Sequence, residues 1–209
     1  MPTRAARPFA ERARRLALGA ALGARVAAGA AEPAMTTSAH AEVADGTTVL
    51  SVDFGWSSAR DLQVRYRVEN RGREPVMVFD RGDSVAVATH RLPLGGVPAP
   101  ATEQRDGTLT LSHRALALPK RAPTVPPVPL AVRVDAGGRA DGTFRTGVPG
   151  EVTRVRYCVG VAPFAEADFS APQSAAGGSI WRASFALAER QRMLCTPWFD
   201  LARGAFERD

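Results

Sequence analysis

Two cysteines, Cys158 and Cys195, and three histidines, His40, His90 and His113, are the side chains of this 209-residue chain most suited to chemistry. The cysteines do not form a Cys-x-x-Cys pair, so neither a zinc site nor a thioredoxin-like redox centre is indicated. A catalytic thiolate needs a histidine or cation that lowers its pKa, and no neighbour in sequence supplies one. A structural disulfide is the expectation in an oxidising compartment; in the cytoplasm both would be free thiols. The histidines lack His-x-x-x-His ligand spacing and read as solvated or structural groups. Asp80, Asp83 and Asp106 could offer oxygen ligands to calcium, but no ligand loop of the EF-hand kind surrounds them, and aspartates commonly cap turns. Nucleophile elbows, phosphate-cradling loops and dinucleotide fingerprints are missing; "GWSSAR" (55–60) lacks the second glycine of an elbow. No cofactor and no metal is expected.

The stretch "VFDRGDS" carries Arg81-Gly82-Asp83, the tripeptide of cell-adhesion motifs. It stands between "VMVF" and "SVAVATH", two apolar runs with strand periodicity, where glycine and aspartate suit a reversal. An exposed hairpin turn is therefore expected there, and such a turn would also display an adhesive tripeptide. Trp56, Trp181, Trp198 and Phe199 could line a carbohydrate or peptide groove, although tryptophan in a β-sandwich ordinarily belongs to the core.

The elements that must position these residues read as strands. In "DLQVRYRVEN", Leu62, Val64, Tyr66 and Val68 share one face and Gln63, Arg65, Arg67 and Glu69 the other, as in a half-buried antiparallel strand. "NRGREP" is a turn. Further strands are expected at 47–56, 76–79, 84–90, 107–113, 114–119, 129–138, 139–148 and 151–162. Two short ones follow within 181–199, about a polar turn at Glu189-Arg190-Gln191. Segment 119–130 carries closely spaced prolines, which cannot donate ladder hydrogen bonds, and reads as a long connection. Segment 163–179 reads as a surface loop. The apolar end 195–206 is expected to dock on the body of the domain. The pattern predicts an all-β fold: a single immunoglobulin-like antiparallel β-sandwich of about 9–10 strands with a Pro-rich long connection. Two small domains split near 119–130 would each have a thin core.

Residues 1–34 run from a basic start through an apolar stretch to small residues, the plan of a secretory signal peptide. The alternative is that Met35 is the true start, which would leave the protein cytoplasmic. The domain proper is expected at 35–209. The leader holds six arginines against two glutamates, so it contributes four of the six net positive charges and leaves the rest of the chain near neutral. With no basic block and no nucleic-acid module, a nucleic-acid partner is not expected. The apolar stretch is too short and too weak for a transmembrane span.

The run "LQVRYRVENRGREPVMVFDRGDSV" resembles the strand–Asn–turn–strand pattern of bacterial immunoglobulin-like domains. It is also similar to the small bacterial intracellular proteinase inhibitors. The chain as a whole is expected to be a non-enzymatic sandwich that binds a protein or glycan at the cell envelope, periplasmic or secreted. The rival that the inhibitor resemblance implies is a proteinase-inhibitor-like domain with a loop such as 163–179 docked in a protease cleft. A small hydrolase or metal-dependent enzyme is the third reading, and the oligomeric state is left open.

Overall fold

The computed structural model describes residues 36–57, 60–118, 120, 121 and 123–208; the segment read as a leader lies outside the described residues. Strands make up 54% of the structure and helices 5%, which makes the fold all-β. Four long strands form one antiparallel sheet in the order β1 (Thr36–Asp45), β2 (Thr48–Ser57), β3 (Asp61–Asn70) and β8 (Arg139–Gly147). Alternation builds its inner face: Leu50, Val52 and Phe54 of β2 and Leu62, Val64 and Val68 of β3 are fully buried. Strand β1 was not foreseen; its inward side chains are mostly alanine, which gives little periodic signal.

The second sheet is organised by β9 (Arg154–Pro163). Several β9 residues have a partner on each edge. Val159 pairs with His113 of β6 (Thr108–His113) and with Leu194 of β12 (Arg192–Cys195), and Val161 pairs with Val78 of β4 (Val76–Val78) and with Arg192. One edge of β9 is thus shared by β6 and β4. The other is shared by β12 and β13 (Phe199–Asp200), which also pairs with β14 (Ala205–Phe206). The sheet extends beyond β4 through β7 (Leu130–Val134) and β11 (Gly178–Ala183) to β10 (Phe169–Ala175), while β5 (Ala101–Arg105) hangs on β6. The β6–β9 pairing is parallel, the exception in an otherwise antiparallel sandwich. Fourteen strands are present among the described residues, more than foreseen, because short pieces such as β13 and β14 fall below the reach of periodicity.

The sheets meet across an aromatic core. Phe54 packs on Phe199 at 5.3 Å between ring centroids, and Tyr66 on Tyr157 at 5.0 Å. A second, smaller cluster covers the outside of the β9 sheet: Met77, Phe79, Phe169 and Leu187 are buried there with Ala115. Strand β4 is therefore apolar on both faces, which is why "VMVF" runs without alternation. Cys158 and Cys195 stand directly opposite each other on β9 and β12, with sulfurs 2.10 Å apart, closing a separation of 37 residues. A paired cysteine of this kind suggests an oxidising compartment. No helix among the described residues is long and apolar enough to cross a membrane.

Four sequence expectations are corrected. Segment 84–90 is helical, α1 (Ser84–Ala88), because the Asp83 carboxylate accepts hydrogen bonds from the Val85 and Ala86 amides and starts a turn that the valines alone would not favour. Within the segment expected as a strand at 114–119, residues 114–118 form none; Leu116 and Leu118 share their spacing but stay exposed. Segment 163–179 contains β10, paired with β11, and is not an open loop. The polar turn at 189–191 is the end of a short helix, α2 (Leu187–Arg190).

Two chain crossings between the sheets are fastened by one buried side chain. Asn70 Nδ2 donates to the carbonyls of Glu74 (2.8 Å) and Val134 (3.1 Å), while its Oδ1 accepts from the Gly72 amide (2.9 Å). It thereby ties the β3–β4 crossing to the β7–β8 crossing. Asn70→Ala leaves these groups without their partner and is expected to cost about 2–3 kcal/mol. A fall in the urea midpoint at unchanged slope would register this.

Candidate functional site

After β4 the chain carries a carboxylate and a guanidinium into the interior. Asp80 is 0% exposed and Arg81 2%. Asp80 Oδ2 accepts from the Tyr66 hydroxyl and from Arg81 Nη1, each at 2.8 Å, and Arg81 Nη2 donates to the Asp141 carbonyl at 3.3 Å. Asp80 Oδ1 and Arg81 Nε find no partner among the described residues. Burial pushes the Asp80 carboxyl up to about 6, against the pull of Arg81 and of the Tyr66 hydrogen bond.

The expected exposed turn at Arg81-Gly82-Asp83 is corrected by these positions. Arg81 points inward to its salt bridge. Gly82 has φ of +71°, and a Cβ there would meet Leu92 Cδ2 at 2.7 Å. Asp83 caps α1, and the backbone about it pairs with the end of the proline-rich segment: Ser84 N–H donates to Val128 O and Leu130 N–H to Gly82 O. Since an adhesive tripeptide must present its arginine to a partner, this arginine is not available for display.

Beside this pair lies a second polar contact. His113 Nε2 is 3.0 Å from the Pro98 carbonyl and Nδ1 is 2.7 Å from the Tyr157 hydroxyl. A carbonyl only accepts, so Nε2 carries the hydrogen and Tyr157 donates to Nδ1. Burial holds the His113 imidazole down at about 4, hence neutral, and pushes the Tyr66 and Tyr157 phenols well up. Tyr66 needs the bare backbone of Gly142 opposite it; a Cβ there would fall 2.2 Å from the Tyr66 hydroxyl. Tyr66 and Tyr157 occupy core positions in alternating strands. A buried tyrosine requires a partner for its hydroxyl, and that was the one sequence signal of this network.

His113 forms part of the floor of a cleft of about 280 Å³, walled by Phe79, Pro98, Pro100, Leu116 and Pro127. One wall is the proline-rich strap from residue 114 to 129. Three of the four large apolar side chains most exposed on the described surface belong to this strap: Leu116 at 55%, Leu118 at 41% and Val125 at 67%. On the other side of the strap a hollow of about 350 Å³ is lined by Val87, Leu94, Val125 and Ile180. The outer face of the four-stranded sheet holds a broader polar depression of about 820 Å³. Its charges largely pair across strands, with His40 2.8 Å from Asp53 and Arg67 2.7 Å from Asp141, as on a solvated sheet face.

The other sequence candidates are scattered. His40 lies on β1, His90 just past α1 with φ of +57°, and Asp106 in the β5–β6 turn with φ of +47°. Among the described residues no three His, Cys, Asp or Glu side chains converge as metal ligands would. The aromatic candidates share no groove. Trp56 is buried beside Arg60, Trp181 packs on Phe164 at 5.2 Å, Trp198 lies under Arg156 at 4.5 Å, and Phe199 is in the core.

The buried pair and His113 make separable predictions. Arg81→Met strands a buried carboxyl and is expected to cost about 3–5 kcal/mol, whereas combining it with Asp80→Leu should recover much of that loss in urea unfolding. His113 has a folded value of about 4, below its ordinary 6.5, so the stability it contributes is full above 6.5 and is lost as pH falls toward 4. Asp80 runs the other way: its folded value of about 6 exceeds 3.8, so its contribution is full below 3.8 and is lost as pH rises through 6. Replacing His113 by glutamine, which keeps one donor and one acceptor, should therefore destabilise most at neutral pH. The deficit against wild type should shrink by up to about 3 kcal/mol on acidification, a convergence that paired melts across the pH range would measure.

No family model, no curated protein and no solved structure matches the chain.

Proposed function

We propose that this chain is a non-enzymatic binding domain of the periplasm or cell exterior, and that it engages another protein along the strap. The observation that carries this reading is the exposure of Leu116 and Leu118 on the strap next to an apolar cleft that Leu116 helps to line, with Val125 exposed farther along at the second hollow. Scattered surface leucines need no explanation, but exposed aliphatic side chains adjoining a concave apolar site are what a protein interface uses. A protein suits this surface better than a glycan, because the three tryptophans that could stack on sugars lie apart, each against its own neighbour. The location draws support from the disulfide and from the signal-like order of residues 1–34.

A photo-crosslinking amino acid placed at Leu116, with a second at Arg65 on the outer sheet face, tests this in the native envelope. The expected result is a discrete protein adduct from position 116, absent from position 65, and abolished by Leu118→Asp without loss of fold. Both leucines are exposed, so that substitution should shift stability by no more than about 0.5 kcal/mol. Adducts at position 65 alone would transfer recognition to the sheet face and refute the strap.

A further inference from the structure

Resting on the strap as a protein-binding surface, the charge around it narrows the partner's chemistry. Residues 107–134 contain no aspartate or glutamate, while Arg114, Lys120 and Arg121 fall within or beside the exposed leucines. All three are exposed, and none makes an ion pair among the described residues. Many arginines elsewhere behave differently: Arg67 is bridged to Asp141, Arg71 to Glu69, Arg190 to Asp168 and Arg192 to Asp45. Arg114 also forms part of the cleft wall. The one carboxylate lining the cleft, Asp83, is engaged in capping α1. The rim of the apolar site thus carries positive charge with no ion-pair partner among the described residues.

The strap also offers backbone. Among the described residues, the amides of Leu116, Ala117 and Leu118 have no acceptor, in contrast to Ala115, whose N–H and carbonyl are both taken by the Gln191 side chain at 2.9 and 2.8 Å. Gln191 thus anchors the strap at its start, and of the next three residues Leu116 and Ala117 line the cleft. Six residues separate Arg114 from Lys120, a span of at most roughly 20 Å in an extended chain, so about six extended residues of a partner would cover both cations.

From the apolar cleft, the unpaired cations and the open amides together, we infer that the partner is an acidic, extended peptide segment of a protein. An aliphatic or proline side chain seats between Pro98, Leu116 and Pro127, its backbone carbonyls accept from the free strap amides, and flanking carboxylates meet Arg114, Lys120 and Arg121. Charge complementarity would then select acidic segments over neutral ones of the same shape.

The test titrates the isotope-labelled full chain with the synthetic peptide Glu-Glu-Leu-Pro-Glu-Glu and with its glutamine counterpart. The amide resonances of Leu116, Ala117 and Leu118 provide the readout. The acidic peptide should move these resonances with an apparent affinity at least about fivefold tighter than the glutamine peptide at low salt. That advantage should disappear at high salt and fall in the K120Q/R121Q variant, whose two replaced side chains are not part of the cleft wall. Equal affinity of the two peptides would overturn the acidic preference while leaving the strap as a binding surface. If neither peptide moved the strap resonances, the strap reading would fall with it. Binding to phosphatidylglycerol vesicles without any peptide response would replace the peptide by a membrane surface.

Discussion

Asp80 and Arg81 stand adjacent in sequence and side by side in the core, where water does not screen them. An ion pair in that position is weak support for stability, since removing two charges from water costs several kcal/mol for each ion before their attraction is counted. Its importance lies in what it obliges the surrounding chain to do. The Tyr66 hydroxyl must reach Asp80, Gly142 must be bare so that Tyr66 can lie across it, and the Asp141 carbonyl must turn toward Arg81. Once Arg81 is turned inward, Gly82 takes a positive φ and Asp83 is delivered to the start of α1. The same residues pair with Val128 and Leu130, so the end of the proline-rich strap is laid down against them. One buried pair thus fixes the course of the loops at this end of the sandwich.

Strand β9 supplies the complementary constraint. Its two edges are divided among four shorter strands, so no strand beside it can shift register without displacing a neighbour in line. The Cys158–Cys195 bond locks one of these registers covalently, and the parallel β6 on the opposite edge carries Ser112 and His113 to the cleft. The cleft therefore rests on the most heavily paired strand of the molecule, while its outer wall is a strap with almost no ladder hydrogen bonds.

What was legible in the sequence follows from this division. Strand β3 could be read directly, because one face lies against a core and its alternation is uninterrupted over eight residues; β9 is covered on both faces, but Val155, Tyr157, Val159 and Val161 still mark one of them. Helix α1 was hidden, since Val85 and Val87 have strand-like spacing and only the Asp83 cap decides against a strand. Leu116 and Leu118 misled for the opposite reason: spacing by two identifies a strand only where one face is buried, and these two face solvent. The Arg-Gly-Asp stretch was placed correctly after β4, but an arginine in a turn reads as exposed unless its buried acceptor is known. That acceptor depends on Tyr66 and the Asp141 carbonyl, which are distant in sequence. The disulfide partners were identifiable because only two cysteines exist; their direct opposition on β9 and β12 was not.

The polar network and the cleft are mechanically one unit. His113 donates to the carbonyl of Pro98, and Pro98 is itself a wall of the cleft. A neutral imidazole can make this bond and accept from Tyr157 at the same time; an imidazolium, which has donors only, could not accept. Burial, by keeping His113 neutral, thus preserves the link that holds a loop wall to a core tyrosine. The opposite wall is held by Gln191 through Ala115, again by a side chain reaching from another element. Buried and part-buried polar groups here fasten loops that carry no ladder of their own, which gives the apolar cleft a defined shape. A preformed shape lowers the ordering cost of any association there, since these walls need not be fixed at the moment of contact.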